Sequence, residues 1–276
     1  MRWIAPIALV LLAACNQPEA EKSGAVTRIE FDEAPVVPVP ATKAGSAGNS
    51  SCKSVIFEGV PLTHCIADPA QHRITTALGS EGGAPYRSFA ALEQAVVATT
   101  IAFAVNGGMF GEDGRPIGYY VEESNRLKAL NRADGGGNFH LKPNGIFFGT
   151  GGKWRVMASG DFYRKVAARP AFGTQSGPML VIAGALHPEF AEEGPSRLIR
   201  NGVGVDGAGR AHFVLSEGPV SFGRFARYFR DELKTPNALY LDGSVSALWD
   251  PASGRRDVGV PLGPLIVVTK LEKPGA

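Results

Sequence analysis

The chain has little net charge, few cysteines and, beyond its N-terminus, no long hydrophobic run. Its formal net charge is +2, so it lacks the basic excess of nucleic-acid-binding proteins, and we expect no nucleic-acid partner. No later apolar segment is long enough to span a bilayer. The sequence also has no HExxH pattern and no clustered pair of histidine and cysteine, so it carries no recognised zinc signature.

The N-terminus has the features of an export signal. Arg2 precedes an apolar stretch, residues 4–12, which is too short to span a bilayer permanently. The stretch ends in Leu-Ala-Ala-Cys, which resembles a bacterial lipobox, and residues 1–15 are predicted to be a lipoprotein signal with Cys15 as the lipidated residue. An ordinary cleaved signal with a chance cysteine is the alternative. The resemblance to sorted lipoproteins implies that the uncharged Asn16 favours the outer membrane, facing the periplasm.

Residues 16–50 are predicted to be a flexible tether and residues 51–276 one globular domain. The tether is rich in Pro, Ala, Gly and Ser, a composition that buries little surface and favours extended conformers. A short strand near residues 26–31 is compatible with the sequence but is not predicted. The remaining length is typical of a single domain with a substantial core.

Cys52 and Cys65 are predicted to form a structural disulfide. They lie on two strand-like runs, 52–57 and 63–66, which an antiparallel hairpin would bring within bridging distance. An exported protein folds in an oxidising compartment, where such a pair is expected to be bonded. The spacing does not fit CxxC redox chemistry.

Short runs of β-branched and aromatic residues, bounded by Gly, Pro, Asn or Asp, predict a chain dominated by strands. Two of them, 101–105 and 265–268, are almost continuously apolar, as expected for strands covered on both faces. The predicted strands are 54–58, 72–78, 101–105, 145–148, 153–158, 179–182, 202–205, 212–215, 238–241 and 265–269.

Helices are predicted at fewer places. Ser88 and Ser221 are placed to cap helices with apolar stripes, and a shorter helix is predicted over 161–167. The face opposite the second stripe is interpreted as solvated and carries Arg224, Arg227 and Arg230. Because strands and helices show no regular βαβ alternation, the predicted fold class is α+β, a single domain with a mixed, twisted β-sheet and interspersed helices.

Polar, glycine-rich segments at strand ends are the candidate functional loops. Asn106-Gly107-Gly108 follows the most buried-looking strand and would place an amide side chain and a tight turn at the rim of the sheet. Asp242-Gly243-Ser244 ends another apolar strand, where the carboxylate can serve as an acid or base, an orienting group or a metal ligand. An Asp-Gly pair after a strand is otherwise usually a turn.

Further candidates precede strands. His140 and Asn144 lie on one such segment, although a lone histidine is more often structural than catalytic. Ser176, after Gln175, lacks the strand-turn-helix context of a hydrolase nucleophile elbow, but its hydroxyl and the neighbouring amides can donate hydrogen bonds to an anion. Arg200 has a planar guanidinium that can pair with two phosphate oxygens at once.

The order of these segments is more informative than any one of them. The runs NGGMF, NFHLKPNG, TQSGPML, SRLIRNGVGV and NALYLDGSVSAL, in this order, resemble the phosphodiester glycosidase family and, within it, the bacterial YigE-like branch. The family includes the enzyme that uncovers mannose 6-phosphate on lysosomal glycans. The likeness spans residues 51–268 and implies hydrolysis of a sugar-1-phosphate diester, which releases the sugar and leaves a phosphomonoester.

The resemblance implies site residues at the matching positions. The run 106–108 matches the family's NGGFF segment, and Arg200 matches the arginine ahead of its glycine-valine strand. Asp242 and Gly243 match the start of its LDGGGS motif, but the next two glycines are replaced by Ser244 and Val245. The backbone there is therefore more restricted, which argues against a close approach of its amides to phosphate.

The roles that follow are hypotheses. Arg200 would hold the phosphoryl oxygens, Asp242 would transfer a proton or orient water, and Asn106 would position the sugar. Glu217 is the candidate for a second carboxylate, which glycosidases typically need, although phosphate is already a good leaving group. The candidates for substrate binding are Gly107, Gly108, His140, Asn144, Gln175, Ser176, Gly243 and Ser244.

Two other classes of function remain open. The altered LDG segment favours a non-catalytic envelope lipoprotein that binds glycan or peptidoglycan, whereas the retained Asn, Arg and Asp favour the hydrolase. A serine esterase built on Ser176 is the third candidate. No cofactor is firmly implied, although a divalent metal is compatible with Asp242. The expected partners are a glycan phosphodiester and, through the N-terminal lipid, a membrane.

Overall fold

The computed structural model describes Met1 and residues 50–272. The predicted lipoprotein signal with Cys15, the tether and the strand near residues 26–31 lie outside the described residues. Residues 50–272 belong to the larger of the two units into which the chain divides, Glu33–Ala276. Within the described part of the chain, no helix is both long and apolar enough to cross a membrane.

Strands make up most of the described chain. They are, in order, β1 (Cys52–Phe57), β2 (Val60–Ala67), β3 (His72–Ala77), β4 (Ile101–Asn106), β5 (Tyr120–Glu122), β6 (Asn125–Lys128), β7 (Gly145–Thr150), β8 (Lys153–Ala158), β9 (Phe172–Ser176), β10 (Met179–Ile182), β11 (Ala185–Leu186), β12 (Arg197–Leu198), β13 (Asn201–Val205), β14 (Ala211–Ser216), β15 (Val220–Ser221), β16 (Asn237–Tyr240), β17 (Leu248–Asp250), β18 (Arg255–Arg256) and β19 (Leu265–Lys270).

Helices are short. The α-helices are α1 (Phe89–Glu93), α2 (Ser159–Lys165) and α3 (Phe222–Arg227), and a π-helical turn, Tyr228–Glu232, continues α3. Single 3₁₀ turns occur at Ala98–Thr100 and Asn138–His140.

The strands form three larger sheets and one small one. The first sheet has the order β1-β2-β14-β13-β16-β10-β11, the second β18-β17-β4-β19-β3, and the third β6-β5-β9-β7-β8. Strands β12 and β15 pair separately. Every strand pairing within residues 50–272 is antiparallel, so the prediction of one mixed sheet is wrong. The α+β class is right only in part, because sheet predominates.

The inner faces of the three sheets share one core. Along β19, Ile266 and Val268 enter this common core, whereas Leu265 and Val267 point to the opposite face. Because successive side chains of a strand alternate between faces, a strand buried on both sides must be apolar throughout. The continuous apolar runs therefore reflect antiparallel sheets covered on both faces.

One helix covers the outer face of each sheet. Phe225 of α3 packs on the first sheet, Phe89 of α1 on the second and Phe162 of α2 on the third. Burying one such aromatic side chain contributes about 1.5–3 kcal/mol. Ser88 and Ser221 accept hydrogen bonds from the third following residue and cap α1 and α3, as predicted.

The sequence located the principal strands well. All ten predicted strands are present, with ends that shift by two residues at most, and the third predicted helix corresponds to α2. The strands β5, β6, β9 and β17 and the two-residue strands β11, β12, β15 and β18 were not predicted. Strand β9 is fully buried but carries Thr174, Gln175 and Ser176, which resemble loop residues in the sequence.

The predicted disulfide between Cys52 and Cys65 is confirmed. The two residues lie directly opposite each other in the pairing of β1 with β2. The bond therefore joins adjacent strands at the first residue of β1.

The arginine-bearing face of α3 is less solvated than predicted. Arg227 donates to both carboxylate oxygens of Glu58, at 2.9 and 2.6 Å, and to Glu193 at 3.0 Å. Arg224 contacts the same two carboxylates. The network ties the β1–β2 turn to α3, and it lowers the pKa of Glu58, chiefly through the hydrogen bond from Arg227.

A buried chain of hydrogen bonds crosses the first sheet. Asp206 Oδ2 accepts from His212 Nε2 at 3.0 Å, His212 Nδ1 accepts from His64 Nε2 at 2.9 Å, and His64 Nδ1 lies 3.4 Å from the hydroxyl of Tyr228. Burial raises the pKa of Asp206, but hydrogen bonds from His212 and Arg210 bring it to about 2. Since a carboxylate can only accept, each ring has one defined tautomer.

Acid should destabilise the protein through His64. Burial, then the nearby His212, Lys53 and Arg210, lower the pKa of His64 to about 3. The pKa of His64 is lower in the folded state than in the unfolded state. The stability that neutral His64 contributes is therefore fully present above about pH 6.5 and is lost as the pH falls towards 3. His64→Gln keeps a donor towards His212 but cannot become charged. Its melting temperature should therefore fall less between pH 6.5 and 4 than that of the wild type.

The control for this measurement is His140→Gln, at a partly exposed position. This variant should follow the wild-type pH dependence. Equal acid sensitivity of His64→Gln and the wild type would contradict the assignment.

Candidate functional site

Buried polar contacts join the three sheets pairwise at one end. The contacts are the hydrogen bonds from Gly108 N to Thr174 Oγ1 (3.1 Å), from Ser176 Oγ to Leu241 O, and from Asn201 Nδ2 to Asn106 Oδ1 (2.7 Å). The Gly108–Thr174 bond links the second sheet to the third. The Ser176–Leu241 bond links the third sheet to the first, and the Asn201–Asn106 bond links the first sheet to the second. Several predicted site segments therefore meet at one junction.

Asn106, at the end of β4, has a fixed amide orientation. Its Oδ1 accepts from Asn201 Nδ2 and from the backbone N–H of Ala247 at 2.9 Å. Because a backbone N–H can only donate, the oxygen and nitrogen of the amide are assigned. Its Nδ2 is buried and has no hydrogen-bond partner among residues 50–272. This nitrogen is a preorganised donor that a ligand could use.

Asn201 holds the candidate catalytic loop. Its Oδ1 accepts from the backbone N–H of Asp242 at 2.8 Å, while its Nδ2 binds Asn106. Together with the Ala247–Asn106 bond, this fixes both ends of residues 242–247. Sequence reasoning did not select Asn201, although an asparagine followed by a glycine at the start of an apolar strand was the available signal.

A cavity of about 340 Å³ lies beside this loop. Asp242 supplies the carboxylate, and its Oδ1 accepts from the N–H of Ser244 at 3.0 Å. The wall of the cavity is aromatic and aliphatic apart from three polar side chains. Within the described residues, this wall contains one carboxylate and no cationic group. The lining residues are Met109, Phe110, Ile117, Asn138, Tyr240, Asp242, Ser244 and Val245.

The glycines of the Asn106-Gly107-Gly108 and Asp242-Gly243-Ser244 segments are required for different structural reasons. A Cβ at Gly243 would lie 1.9 Å from the hydroxyl of Tyr240, and one at Gly108 would lie 2.2 Å from the carbonyl of Gln175. Gly107 is less crowded, with the Pro264 carbonyl 3.1 Å from a built Cβ. Gly108 thus permits two sheets to approach each other.

The two replaced glycines have a separate consequence. Ser244 and Val245 both line the cavity. The substitutions therefore add side chains to the wall of the candidate site.

Arg200 is buried behind the cavity wall. Its Nε donates to Val220 O at 2.8 Å and its Nη2 to the backbone and side-chain oxygens of Ser196 at 3.1 and 3.0 Å. The guanidinium carbon lies 3.5 Å from the ring centroid of Phe222 and 5.5 Å from that of Tyr240. Arg200 is 0% exposed and is not among the lining residues, so its direct contact with phosphate stays a prediction.

Gln175 and Ser176 are buried structural links. The Gln175 side chain accepts from the N–H groups of Tyr119 and Asn131 at 2.8 and 3.0 Å and donates to Asn131 O at 2.7 Å. Ser176 donates to Leu241 O and is 0% exposed. This burial gives no support to a nucleophilic serine, and substrate contact by either residue stays a prediction.

His140 and Asn144 stabilise the segment that brings Asn138 to the cavity. Asn144 donates to Phe139 O at 2.9 Å and accepts from Ser159 Oγ at 2.6 Å. The His140 ring lies 3.1 Å from Ala133 O. Neither residue is among those that line the cavity.

Glu217 is not brought to the cavity. Its carboxylate accepts from Thr63 Oγ1 and Arg255 Nη1, both at 2.5 Å, and Arg255 also pairs with Asp257. The structure therefore places this second carboxylate in an ion-pair cluster, and its catalytic role stays a prediction. Within residues 50–272, no three histidine, cysteine or acidic side chains are grouped to hold a metal ion.

The chain belongs to the phosphodiester glycosidase family, whose sequence pattern matches residues 99–261. The resemblance seen in the sequence is therefore confirmed. The uncharacterized protein YigE of Escherichia coli (strain K12) is 38% identical over 149 residues, which cover 54% of this chain and 58% of YigE. The match thus spans less than two thirds of that relative.

The fold is also found in a solved structure. The catalytic domain of zebrafish N-acetylglucosamine-1-phosphodiester alpha-N-acetylglucosaminidase, auto-inhibited by its pro-peptide, superposes with a TM-score of 0.54. The superposition covers 88% of this chain and 86% of that one, at 12% sequence identity. At this identity the likeness shows the fold alone.

Removing the Asn201 side chain should destabilise the protein. Asn201→Ala leaves the N–H of Asp242 without its acceptor, and we expect a loss of about 2 kcal/mol in the free energy of unfolding, measured by urea denaturation. Asn125→Ala, at an exposed position of β6, is the control and should change stability by no more than about 0.5 kcal/mol. Equal effects of the two substitutions would show that the link contributes nothing.

Proposed function

We propose that the protein is a hydrolase that cleaves sugar-1-phosphate phosphodiesters on envelope or extracellular glycans. Family membership supports the class of substrate. The observation that carries the proposal is the cavity in which Asp242, fixed through its backbone by Asn201, presents a carboxylate.

The chemistry requires few groups from the protein. Asp242 orients a water molecule and accepts a proton from it as the water oxygen bonds to the anomeric carbon of the sugar. The bond from that carbon to the phosphate oxygen breaks, which releases the sugar and leaves the phosphomonoester. Phosphate is a good leaving group, so a second carboxylate is not needed to protonate it. The fixed Nδ2 of Asn106 is a donor for an oxygen of the bound substrate.

The location is part of the same proposal. A lipid on Cys15 would hold the enzyme at the outer membrane facing the periplasm, within reach of envelope glycans. The lipobox-like sequence and the uncharged Asn16 support this placement.

Asp242→Asn should abolish turnover without unfolding the protein. The amide oxygen of asparagine can still accept from the N–H of Ser244, but it cannot take a proton, so kcat should fall at least 100-fold. The measurement is release of free sugar from a panel of sugar-1-phosphate diesters.

The matched control is Asp113→Asn, because Asp113 also accepts a backbone N–H two residues ahead, from Arg115 at 2.9 Å. This exposed turn residue should leave kcat unchanged. If the wild type binds glycan saturably but hydrolyses no diester, with or without divalent metal, the glycan-binding lipoprotein replaces the hydrolase.

Cys15→Ser should abolish lipidation. Without the thiol no diacylglycerol can be attached, so the variant should not incorporate radiolabelled palmitate and should fractionate away from membranes. The wild type, labelled in parallel, should partition with the outer membrane. Undiminished labelling of the variant would exclude Cys15 as the anchor.

A further inference from the structure

Arg87 has a strained backbone next to the candidate site. Its φ is 60°, in the left-handed region that residues other than glycine rarely adopt. The conformation is held in place by a hydrogen bond from the N–H of Leu262 to Arg87 O, at 2.9 Å. Strain of this kind is concentrated at functional sites, where the surrounding structure maintains it.

The side chain of Arg87 lies against the wall of the cavity. Its guanidinium carbon is 5.3 Å from the ring centroid of Phe110, which lines the cavity. Gly114 makes room for it, because a Cβ there would lie 2.1 Å from Nη1 of Arg87. The hairpin that carries Phe110 and Gly114 is thus shaped around this guanidinium.

One donor nitrogen of Arg87 is unused. Nη1 is buried and has no hydrogen-bond partner among residues 50–272. The Phe110 ring compensates such a cation only in part, and a buried donor without an acceptor is costly. A strained backbone and an unpaired buried donor on one residue call for an explanation beyond packing.

The charges of the site supply that explanation. A phosphodiester carries one negative charge, but Asp242 is acidic and no cationic side chain lines the cavity within the described residues. Arg200 already donates through Nε and Nη2 to Val220 and Ser196. Arg87 is a cation in contact with a cavity-lining ring.

We propose that Arg87 binds the phosphoryl oxygens of the substrate, an inference that rests on the proposed function. Its planar fork can pair with two oxygens of a phosphate at once. Arg87 thereby holds the phosphate at the part of the cavity that Phe110 lines. Asp242 supplies its carboxylate from another part of the wall.

The test is binding of inorganic phosphate to the full-length protein, measured by calorimetry at low salt. The wild type should bind phosphate, Arg87→Gln should raise Kd at least 10-fold, and Arg87→Lys, which keeps the charge but not the fork, should fall between them. Arg115→Gln is the control, since Arg115 lies on the same hairpin but is exposed. Melting temperatures establish whether each variant is folded. If Arg87→Gln is unfolded, the phosphate affinity of Arg87→Lys tests the proposal instead.

Each outcome separates this inference from the proposed function. If Arg87→Gln loses phosphate binding and the wild type hydrolyses no diester, the anion site is supported and the proposed hydrolase function is contradicted. Turnover with the same KM and the same phosphate affinity in Arg87→Gln and the wild type retains the hydrolase and overturns the role of Arg87. Absence of phosphate binding by the wild type also overturns it.

Discussion

The hydrogen bond between Asn201 and Asn106 joins two sheets whose strands are buried on both faces, and the site depends on that contact. Strands buried in this way leave polar groups at their ends that neither water nor a neighbouring strand can satisfy. Here the ends satisfy one another across sheets, and the same two amides hold residues 242–247 by both ends. Core packing and the position of Asp242 are therefore parts of one arrangement.

The sequence predicted what depends on local pattern. Strands such as β4 and β19 were found because burial on both faces makes them apolar throughout, and the motif segments were found because Asn, Gly and Asp mark strand ends. Roles could not be predicted, because they depend on contacts distant in sequence. Gln175 and Ser176 were predicted to contact substrate, and the sequence did not indicate that their side chains also join elements within the fold. The pairing of Asn201 with Asn106 spans 95 positions.

The cavity combines an acidic group with arginines placed behind aromatic rings. The ring of Tyr240 lines the cavity and its centroid lies 5.5 Å from the guanidinium carbon of Arg200, and Phe110 is the lining ring against which Arg87 lies. Positive charge behind an aromatic wall lowers the energy of an anion in the cavity while the wall itself stays apolar. Ser244 and Val245, which replace two family glycines, add their side chains to the same wall.

The disulfide at the first residue of β1 has a mechanical consequence. A pull on the chain before residue 50, as a membrane tether would exert, reaches the domain at β1, an edge strand that could otherwise be peeled away from β2 one hydrogen bond at a time. The bond between Cys52 and Cys65 carries that force directly into β2, which is paired on both sides. Any load applied to the chain ahead of Cys52 would therefore bypass the edge strand and fall on the interior of the first sheet.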